Sequence, residues 1–200
     1  MADTNIPKRP ENAEELEKQG LSELVKTLHE HMDPEVRQYA AYLLGNAKNP
    51  RAIQPLIESL ADFDKSVREQ ATLALSNIGK AAIEPLAEAM KEPKWETRYR
   101  AAEALGRIAD EKAVRPLIAG LKDSRDHVRY MAAKGLHQIG DSDAVEPLII
   151  LLKDENTYVR TMAAHTLGAL GGKKVKTALK EALETEQDEK VKAAISSALE

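Results

Sequence analysis

Residues 128–141, Val-Arg-Tyr-Met-Ala-Ala-Lys-Gly-Leu-His-Gln-Ile-Gly-Asp, contain the pattern that decides the fold. The pair that opens this stretch recurs about every 31 residues, and a Pro-Leu pair recurs in step with it. The copies are Val36-Arg37, Val67-Arg68, Thr97-Arg98, Val128-Arg129, Val159-Arg160 and Val191-Lys192, with Pro55-Leu56, Pro85-Leu86, Pro116-Leu117, Pro147-Leu148 and Ala178-Leu179. A fixed period of roughly 20–50 residues is typical of a repeat array and not of one globular core.

Each repeat is predicted to contain two helices. Apolar residues follow a helical spacing over 113–121, with Pro116 near the start, where a missing N–H costs least. A polar turn follows at 122–126, then a second helix ending before Gly140, which can adopt a positive φ. We find no strand pattern. The predicted helix pairs are 21–46, 50–79, 81–109, 111–140, 142–170 and 173–200.

Residues 128–141, together with Ala-Val-Glu-Pro-Leu-Ile at 144–149, resemble the HEAT repeat in its short, bilin-lyase-like form. The resemblance covers about residues 21–200. It implies an all-α fold, a right-handed α-solenoid of about six HEAT-like helix pairs in which each repeat buries its apolar face against the next. It says little about function, because scaffolds, adaptors and a few enzymes share this repeat.

The two ends differ from the inner repeats, as an array requires. Residues 1–20 are predicted to form a leader with a short capping helix over the first repeat. In the last unit, Ala178 replaces the proline, and Ser196 and Ser197 make the final helix more polar. We therefore interpret 173–200 as the C-terminal cap of a single array that spans 21–200.

The composition excludes several classes of protein. The 200 residues include no cysteine, which rules out disulfides, thiolate catalysis and cysteine zinc sites. The formal net charge of −4 disfavours nucleic acid as a partner. We find neither a signal peptide nor an apolar run long enough for a membrane helix. We expect a cytoplasmic monomer that binds a protein partner and needs no cofactor or metal.

The repeated arginine is preceded, six residues earlier, by a carboxylate in most repeats. The resemblance implies a structural ladder of such pairs bracing the turns, and an arginine fork suits a partly buried carboxylate. The predicted ion pairs are Asp62–Arg68, Glu92–Arg98, Asp123–Arg129 and Asp154–Arg160.

A helical wheel separates residues that build the repeat from residues that it does not need. Advancing about 100° per residue from each valine, positions −2, −1, +2, +3 and +6 lie opposite the aliphatic face. In this family that side forms the concave surface. All five tyrosines and the one tryptophan lie there, and Phe63 lies in a turn. The predicted partner-binding residues, called the groove set below, are Tyr39, Tyr42, Trp95, Tyr99, Arg100, His127, Tyr130, Met131, Tyr158, Met162 and His165.

We favour a non-catalytic protein-interaction scaffold, since exposed aromatics and methionines are typical of binding hot spots. The same rings could instead pack sideways and stiffen the repeats. The runner-up is a chromophore-handling protein resembling the bilin lyases, with aromatics beside Arg100 and His127. An engineered repeat binder is a third possibility. The paired His-Glu iron ligands of deoxyhypusine hydroxylase are absent, and His127 and His165 lie too far apart in register to share a metal.

Overall fold

The computed structural model describes residues 6–200, and within this range every regular element is a helix and no β-strand occurs. The prediction of an all-α fold is confirmed. The chain forms two compact units, Met1–Ala104 and Leu105–Glu200. Each unit is built from helix pairs. The apolar residues that recur at the 3.6-residue helical period face the neighbouring helices, and successive helix pairs stack on one another.

In the first unit, a short helix precedes a stack of paired helices. The helices are α1 (Ala13–Leu16), α2 (Leu21–Glu30), α3 (Pro34–Asn46), α4 (Ile53–Glu58), α5 (Lys65–Ile78) and α6 (Ile83–Ala89), and α7 (Trp95–Ile108) crosses the boundary between the units. One-turn 3₁₀ helices occur at Pro50–Ala52, Ser59–Ala61 and Gly79–Ala82. Helix α3 packs against both α2 and α5, and α4 packs against α5.

The second unit continues the pattern of helix pairs. Its helices are α8 (Val114–Gly120), α9 (Asp126–Ile139), α10 (Val145–Leu151), α11 (Thr157–Leu170), α12 (Lys173–Thr185) and α13 (Glu189–Leu199), with 3₁₀ turns at Glu111–Ala113 and Ser142–Ala144. Helix α11 packs against α9, α10 and α13. The second helix of each repeat therefore provides most of the contact between successive layers.

Both sequence markers belong to the core. The marker valines at 67, 128, 159 and 191 have no exposed surface, and neither have the marker leucines at 56, 86, 117, 148 and 179. A buried aliphatic side chain of this size contributes roughly 1.5–3 kcal/mol by leaving water. The approach between layers is also close: a Cβ on Gly45 would lie 2.6 Å from the Cα of Ala74. The period therefore reflects the packing of the layers.

Polar residues in the turns fix where the long helices begin. The side chain of Asp64 accepts hydrogen bonds from the N–H groups of Ser66 (2.8 Å) and Val67 (3.4 Å). Asp33, Asn156 and Asp188 cap α3, α11 and α13 in the same way. These caps satisfy N–H groups that a helix start leaves unpaired.

The N-terminal segment covers the first repeat. Ala13 and Leu16 form a buried cluster with Val36 and Tyr39. The Tyr39 hydroxyl donates a hydrogen bond to the Glu17 carboxylate at 2.6 Å, and burial raises the pKa of that hydroxyl. Tyr39 is only 5% exposed. The prediction that Tyr39 lies on an open binding surface is therefore wrong, because the chain's own leader covers it.

Candidate functional site

The repeated arginines connect each turn to the next. The Arg129 fork donates to the two carboxylate oxygens of Asp154, with Nε–Oδ2 at 2.7 Å and Nη2–Oδ1 at 2.9 Å. Its third group, Nη1, donates to the backbone carbonyl of Asp123 at 2.9 Å. Both charged side chains are largely buried, at 10% and 8% exposure. A two-point ion pair of this kind holds geometry more firmly than an exposed pair does.

The predicted pairing within the ladder is wrong. The residue six positions before each arginine contributes its backbone carbonyl, and for Arg37, Arg129 and Arg160 the carboxylate comes from the following turn. Thus Arg160 pairs with Glu186 (2.7 and 3.0 Å) and takes only the carbonyl of Asp154. Arg37 likewise pairs with Asp62 at 2.8 and 3.0 Å. Neither Arg129 with the Asp123 carboxylate nor Arg160 with the Asp154 carboxylate forms the expected pair.

Arg68 and Arg98 also donate hydrogen bonds to the backbone of the turn before them. Arg68 donates to the carbonyls of Asp62 (2.7 Å) and Phe63 (2.9 Å), so the predicted Asp62–Arg68 ion pair is replaced by a backbone contact. Among residues 6–200 Arg68 has no ion pair equivalent to that of Arg129. Arg98 donates to the carbonyl of Glu92 at 2.9 Å, again in place of the predicted side-chain pair.

The ion pairs shift the pKa values of their members. Hydrogen bonds that the guanidinium groups donate to carboxylates raise the pKa of Arg37, Arg129 and Arg160. The hydrogen bonds from Arg160 lower the pKa of the Glu186 carboxyl from 4.5 to about 2, against the opposing effect of its burial. The charged form of Glu186 is therefore stabilised in the folded state, so its ionisation contributes to stability.

This shift predicts a pH dependence of stability. Because the folded-state pKa of Glu186 is depressed, its contribution is fully present above its unfolded pKa of 4.5 and is lost as the pH falls towards 2. We expect Glu186→Gln to destabilise the protein at pH 6 and to have a much smaller effect at pH 2.5. Urea denaturation of both proteins across this range measures the difference, and a pH-independent difference would contradict the assignment.

In the first unit, the groove set forms a small aromatic and charged cluster. The rings of Trp95 and Tyr99 meet edge to face with centroids 6.4 Å apart, and the Arg100 guanidinium lies 5.4 Å from the centre of the Tyr99 ring. Arg100 also pairs with Glu103 at 2.8 Å and Glu69 at 3.3 Å. All three members of the groove set are half-buried, so they are held in place while part of each remains accessible.

Tyr42 is the remaining member of the groove set in this unit. It is half-buried, and its ring lies 5.7 Å from that of Tyr39. It therefore borders the segment that covers the first repeat.

In the second unit, the groove set differs widely in exposure. Tyr158 is 70% exposed, His127 and His165 are exposed, and Tyr130 and Met162 are half-buried. The remaining member, Met131, is only 4% exposed. The interpretation of Met131 as a surface contact is therefore wrong.

Met131 and Tyr39 fail for a common geometric reason. Both lie three residues after the marker valine, which places them only about 60° from it on a helical wheel. Gln70 occupies the same place in the second repeat and is also buried, at 4% exposure. This position lies at the border of the packed face, so a side chain there is covered wherever a neighbour reaches it.

One polar cluster in the second unit was not identified from the sequence. The Asp126 carboxylate contacts Nδ1 of His127 at 2.7 Å and accepts from the side-chain amide of Asn156. The contact with His127 lowers the pKa of Asp126. Asn156 and Asp126 occupy neighbouring places in successive repeats, which is a signal that aligning the repeats could have revealed. Across residues 6–200, no group of three His, Asp or Glu side chains is arranged to hold a metal.

No helix in residues 6–200 is both long and apolar enough to cross a bilayer.

Comparison with known proteins gives the chain a family and a set of relatives. The family model for HEAT repeats matches residues 21–94, 79–129 and 114–200. The phycocyanobilin lyase subunit alpha of a Picosynechococcus species is 37% identical over 103 residues, which cover 46% of this chain and 38% of the relative. The chain thus matches well under half of that relative's length.

Solved structures agree with the family match. The complex of CpcE and CpcF of phycocyanin lyase from Nostoc sp. PCC7120 contains a chain with a TM-score of 0.70 and 25% identity, covering 76% of this chain and 100% of that one. A designed armadillo repeat protein in complex with the peptide (KR)4 shares the fold, with a TM-score of 0.58, 22% identity, and coverage of 90% and 98%. The resemblance inferred from the sequence is confirmed. The chain belongs to the HEAT-repeat family.

Proposed function

We propose that this chain is a non-catalytic adaptor that binds a protein partner through the accessible members of the groove set. These are Tyr42, Trp95, Tyr99 and Arg100 in the first unit, and His127, Tyr130, Tyr158, Met162 and His165 in the second. Tyr39 and Met131 are excluded because they are buried.

The composition of the core carries this proposal. Within residues 6–200 the buried apolar side chains are aliphatic, with Tyr39 as the single buried aromatic. Trp95 and the other tyrosines lie on the second helices and keep part of their surface open, although Tyr42 also packs against the Tyr39 cluster. Tyrosine and tryptophan offer large contact area with few rotatable bonds and dominate binding energies at interfaces.

Several of these side chains are also held in place before any partner arrives. The edge-to-face contact of Trp95 with Tyr99 and the ion pairs of Arg100 restrict all three. Pre-ordered side chains lose less conformational entropy on binding than mobile ones do. The arrangement therefore suits recognition by a rigid surface.

A second candidate is a subunit of a bilin-lyase-type assembly. The 37% identity to a phycocyanobilin lyase subunit and the TM-score of 0.70 to a chain of the CpcE–CpcF complex favour it. In that case the partner would be a second lyase subunit, and the aromatic side chains near Arg100 and His127 could contact a chromophore. Mixing the purified chain with phycocyanobilin and recording visible absorption tests this candidate, because a bound chromophore changes its spectrum.

Quantitative affinity capture from source cells tests the adaptor proposal. The wild-type chain is the bait, and Tyr158→Ala is the test variant because Tyr158 is the most exposed ring in the groove set. Ile150→Ala is the matched control, since Ile150 is 68% exposed but lies on α10, outside the groove set. We expect Tyr158→Ala to lose a specific partner that the control retains. Equal recovery by all three baits would contradict the proposal.

A further inference from the structure

The leader lies on α3, the helix that carries the first two members of the groove set. Its Ala13 and Leu16 are buried against Val36 and Tyr39 of that helix. We propose that the leader is a releasable strap, an intramolecular ligand whose release uncovers a docking site on α3. The partner segment that this site fits is a short helix with the leader's own pattern: a small residue, a leucine three positions later, and a glutamate directly after it.

Few side chains of the leader are buried. Of residues 6–20, only Pro7, Ala13 and Leu16 belong to the buried class. Helix α1 is a single turn of four residues and has no side-chain cap. An isolated helix this short is unstable in water, so its order depends on docking. A segment with so few buried apolar contacts is expected to open at a lower free energy than the packed repeats do.

The polar contacts between the leader and the first repeat are also weak ones. Lys8 pairs with Glu35 at 3.1 Å, and their side chains are 77% and 48% exposed. An ion pair this exposed contributes little to stability. The Thr27 hydroxyl donates a hydrogen bond to the side chain of Gln19 at 3.2 Å, a neutral bond that water can replace.

The packing between the leader and the first repeat is incomplete. Leader residues 8–12 and the turn residues His31, Asp33 and Glu35 line a cavity of about 570 Å³, together with Val36. Protein interiors are normally close-packed. The leader therefore spans this space without filling it, and it can separate from the repeat with little loss of packing.

The C-terminal cap is built differently. Its helices α12 and α13 have 13 and 11 residues, and both bury aliphatic side chains. A buried ion pair, Arg160 with Glu186, also joins this cap to the repeat before it. The cap is thus a complete helix pair, whereas the leader contributes one helical turn.

Helix α3 does not depend on the leader for most of its packing. It packs against both α2 and α5. Its Ala40, Ala41 and Leu44 have no exposed surface and lie outside the cluster that includes the leader. We therefore expect α3 to stay folded when the leader is released.

The docked leader shows which chemistry the surface of α3 accepts. Leu16 supplies the largest apolar contact and is 1% exposed. The Glu17 carboxylate accepts a hydrogen bond from the Tyr39 hydroxyl at 2.6 Å. Release would free that hydroxyl and open the Tyr39 ring beside Tyr42, 5.7 Å away. Paired aromatic rings with a free donor are suited to binding a helix of the same pattern. That a partner uses this site rests on the adaptor proposal, whereas docking and release of the leader do not.

Native-state hydrogen exchange of the full chain tests the release. We expect the amides of α1 to exchange at least tenfold faster than those of α5, through an opening that leaves α5 protected. Leu16→Ser is expected to abolish protection in α1 and to leave protection in α5 within twofold of wild type. Glu14→Ser is the matched control because Glu14 is exposed on the same helical turn, and it is expected to stay within twofold of wild type at both places.

A fluorescent peptide of residues 6–20 tests the docking site. We expect it to bind the Leu16→Ser chain at least tenfold more tightly than the wild-type chain, whose own leader competes as an intramolecular ligand. The same peptide carrying Leu16→Ser is expected to bind the Leu16→Ser chain at least tenfold more weakly. The peptide carrying Glu14→Ser is expected to stay within twofold of the unmodified peptide.

Three results would overturn the proposal. Equal exchange rates of α1 and α5 in the wild-type chain would make the leader part of the cooperative core, and so would loss of α5 protection in Leu16→Ser. The third is a peptide that fails to bind the Leu16→Ser chain or binds it equally with and without Leu16. Failure of the adaptor proposal is distinguishable, because it would appear as the absence of a captured partner and would leave the exchange and peptide results unchanged.

Discussion

Replacing Arg129 with methionine is expected to lower the free energy of unfolding by about 3–5 kcal/mol, because it leaves a buried carboxylate without its partner. Asp154 is 8% exposed and accepts two hydrogen bonds from Arg129. Methionine retains much of the apolar stem but supplies no charge and no donor. The carbonyl of Asp123 also loses its hydrogen bond. Urea denaturation at neutral pH measures the change.

Arg68→Met provides the matched control for this prediction. Arg68 occupies the same place in its repeat and makes the same kind of backbone hydrogen bonds, without the cross-turn ion pair. Arg68→Met is expected to lower the free energy of unfolding clearly less than Arg129→Met does. Combining Arg129→Met with Asp154→Leu is expected to restore part of the loss, since no charge then remains buried. If Arg129→Met and Arg68→Met cost the same, the cross-turn ion pair contributes nothing measurable.

The sequence was sufficient for the fold because the period is set by buried residues. The marker valines and leucines are in the core, so their recurrence reports the layers directly. The period does not determine which carboxylate pairs with which repeated arginine. An acid six residues before Arg129 and an acid 25 residues after it belong to the same column of the repeat. A period near 31 cannot distinguish Asp123 from Asp154, and only the three-dimensional packing of the turns does.

The candidate site could be predicted in part for a similar reason. The wheel identified Tyr158 as outward-facing, and it is 70% exposed. The wheel could not predict that Tyr39 and Met131 are buried. Both lie at the border of the packed face, so their exposure depends on which neighbouring side chains cover them. Tyr39 is covered by Ala13 and Leu16 of the N-terminal leader. The leader is not part of the repeats, so the repeat pattern does not predict this contact.

The groove set leads to the second large prediction. We expect Trp95→Ala and Tyr130→Ala each to weaken binding of the captured partner by about 2 kcal/mol or more, a factor of about 30, as at an interface hot spot. Both side chains are half-buried on second helices, so part of each ring is open to a partner. Because the aliphatic core packs without them, the melting temperature is expected to change little.

Tyr39→Ala is the matched control for these two variants. It also removes a ring from a second helix, but that ring is 5% exposed and holds the leader through Leu16 and Glu17. Removing a buried aromatic side chain leaves a cavity and typically destabilises a protein by several kcal/mol. We therefore expect Tyr39→Ala to lower the melting temperature, in contrast to the other two.

The most direct test of the central claim is to measure melting temperature and partner affinity together for Trp95→Ala, Tyr130→Ala and Tyr39→Ala. The account predicts that the first two lose about 30-fold in affinity with nearly unchanged melting temperature, while the third loses stability. If Trp95→Ala and Tyr130→Ala instead lower the melting temperature and bind the partner as tightly as wild type, these rings hold the repeats together and the adaptor proposal is contradicted.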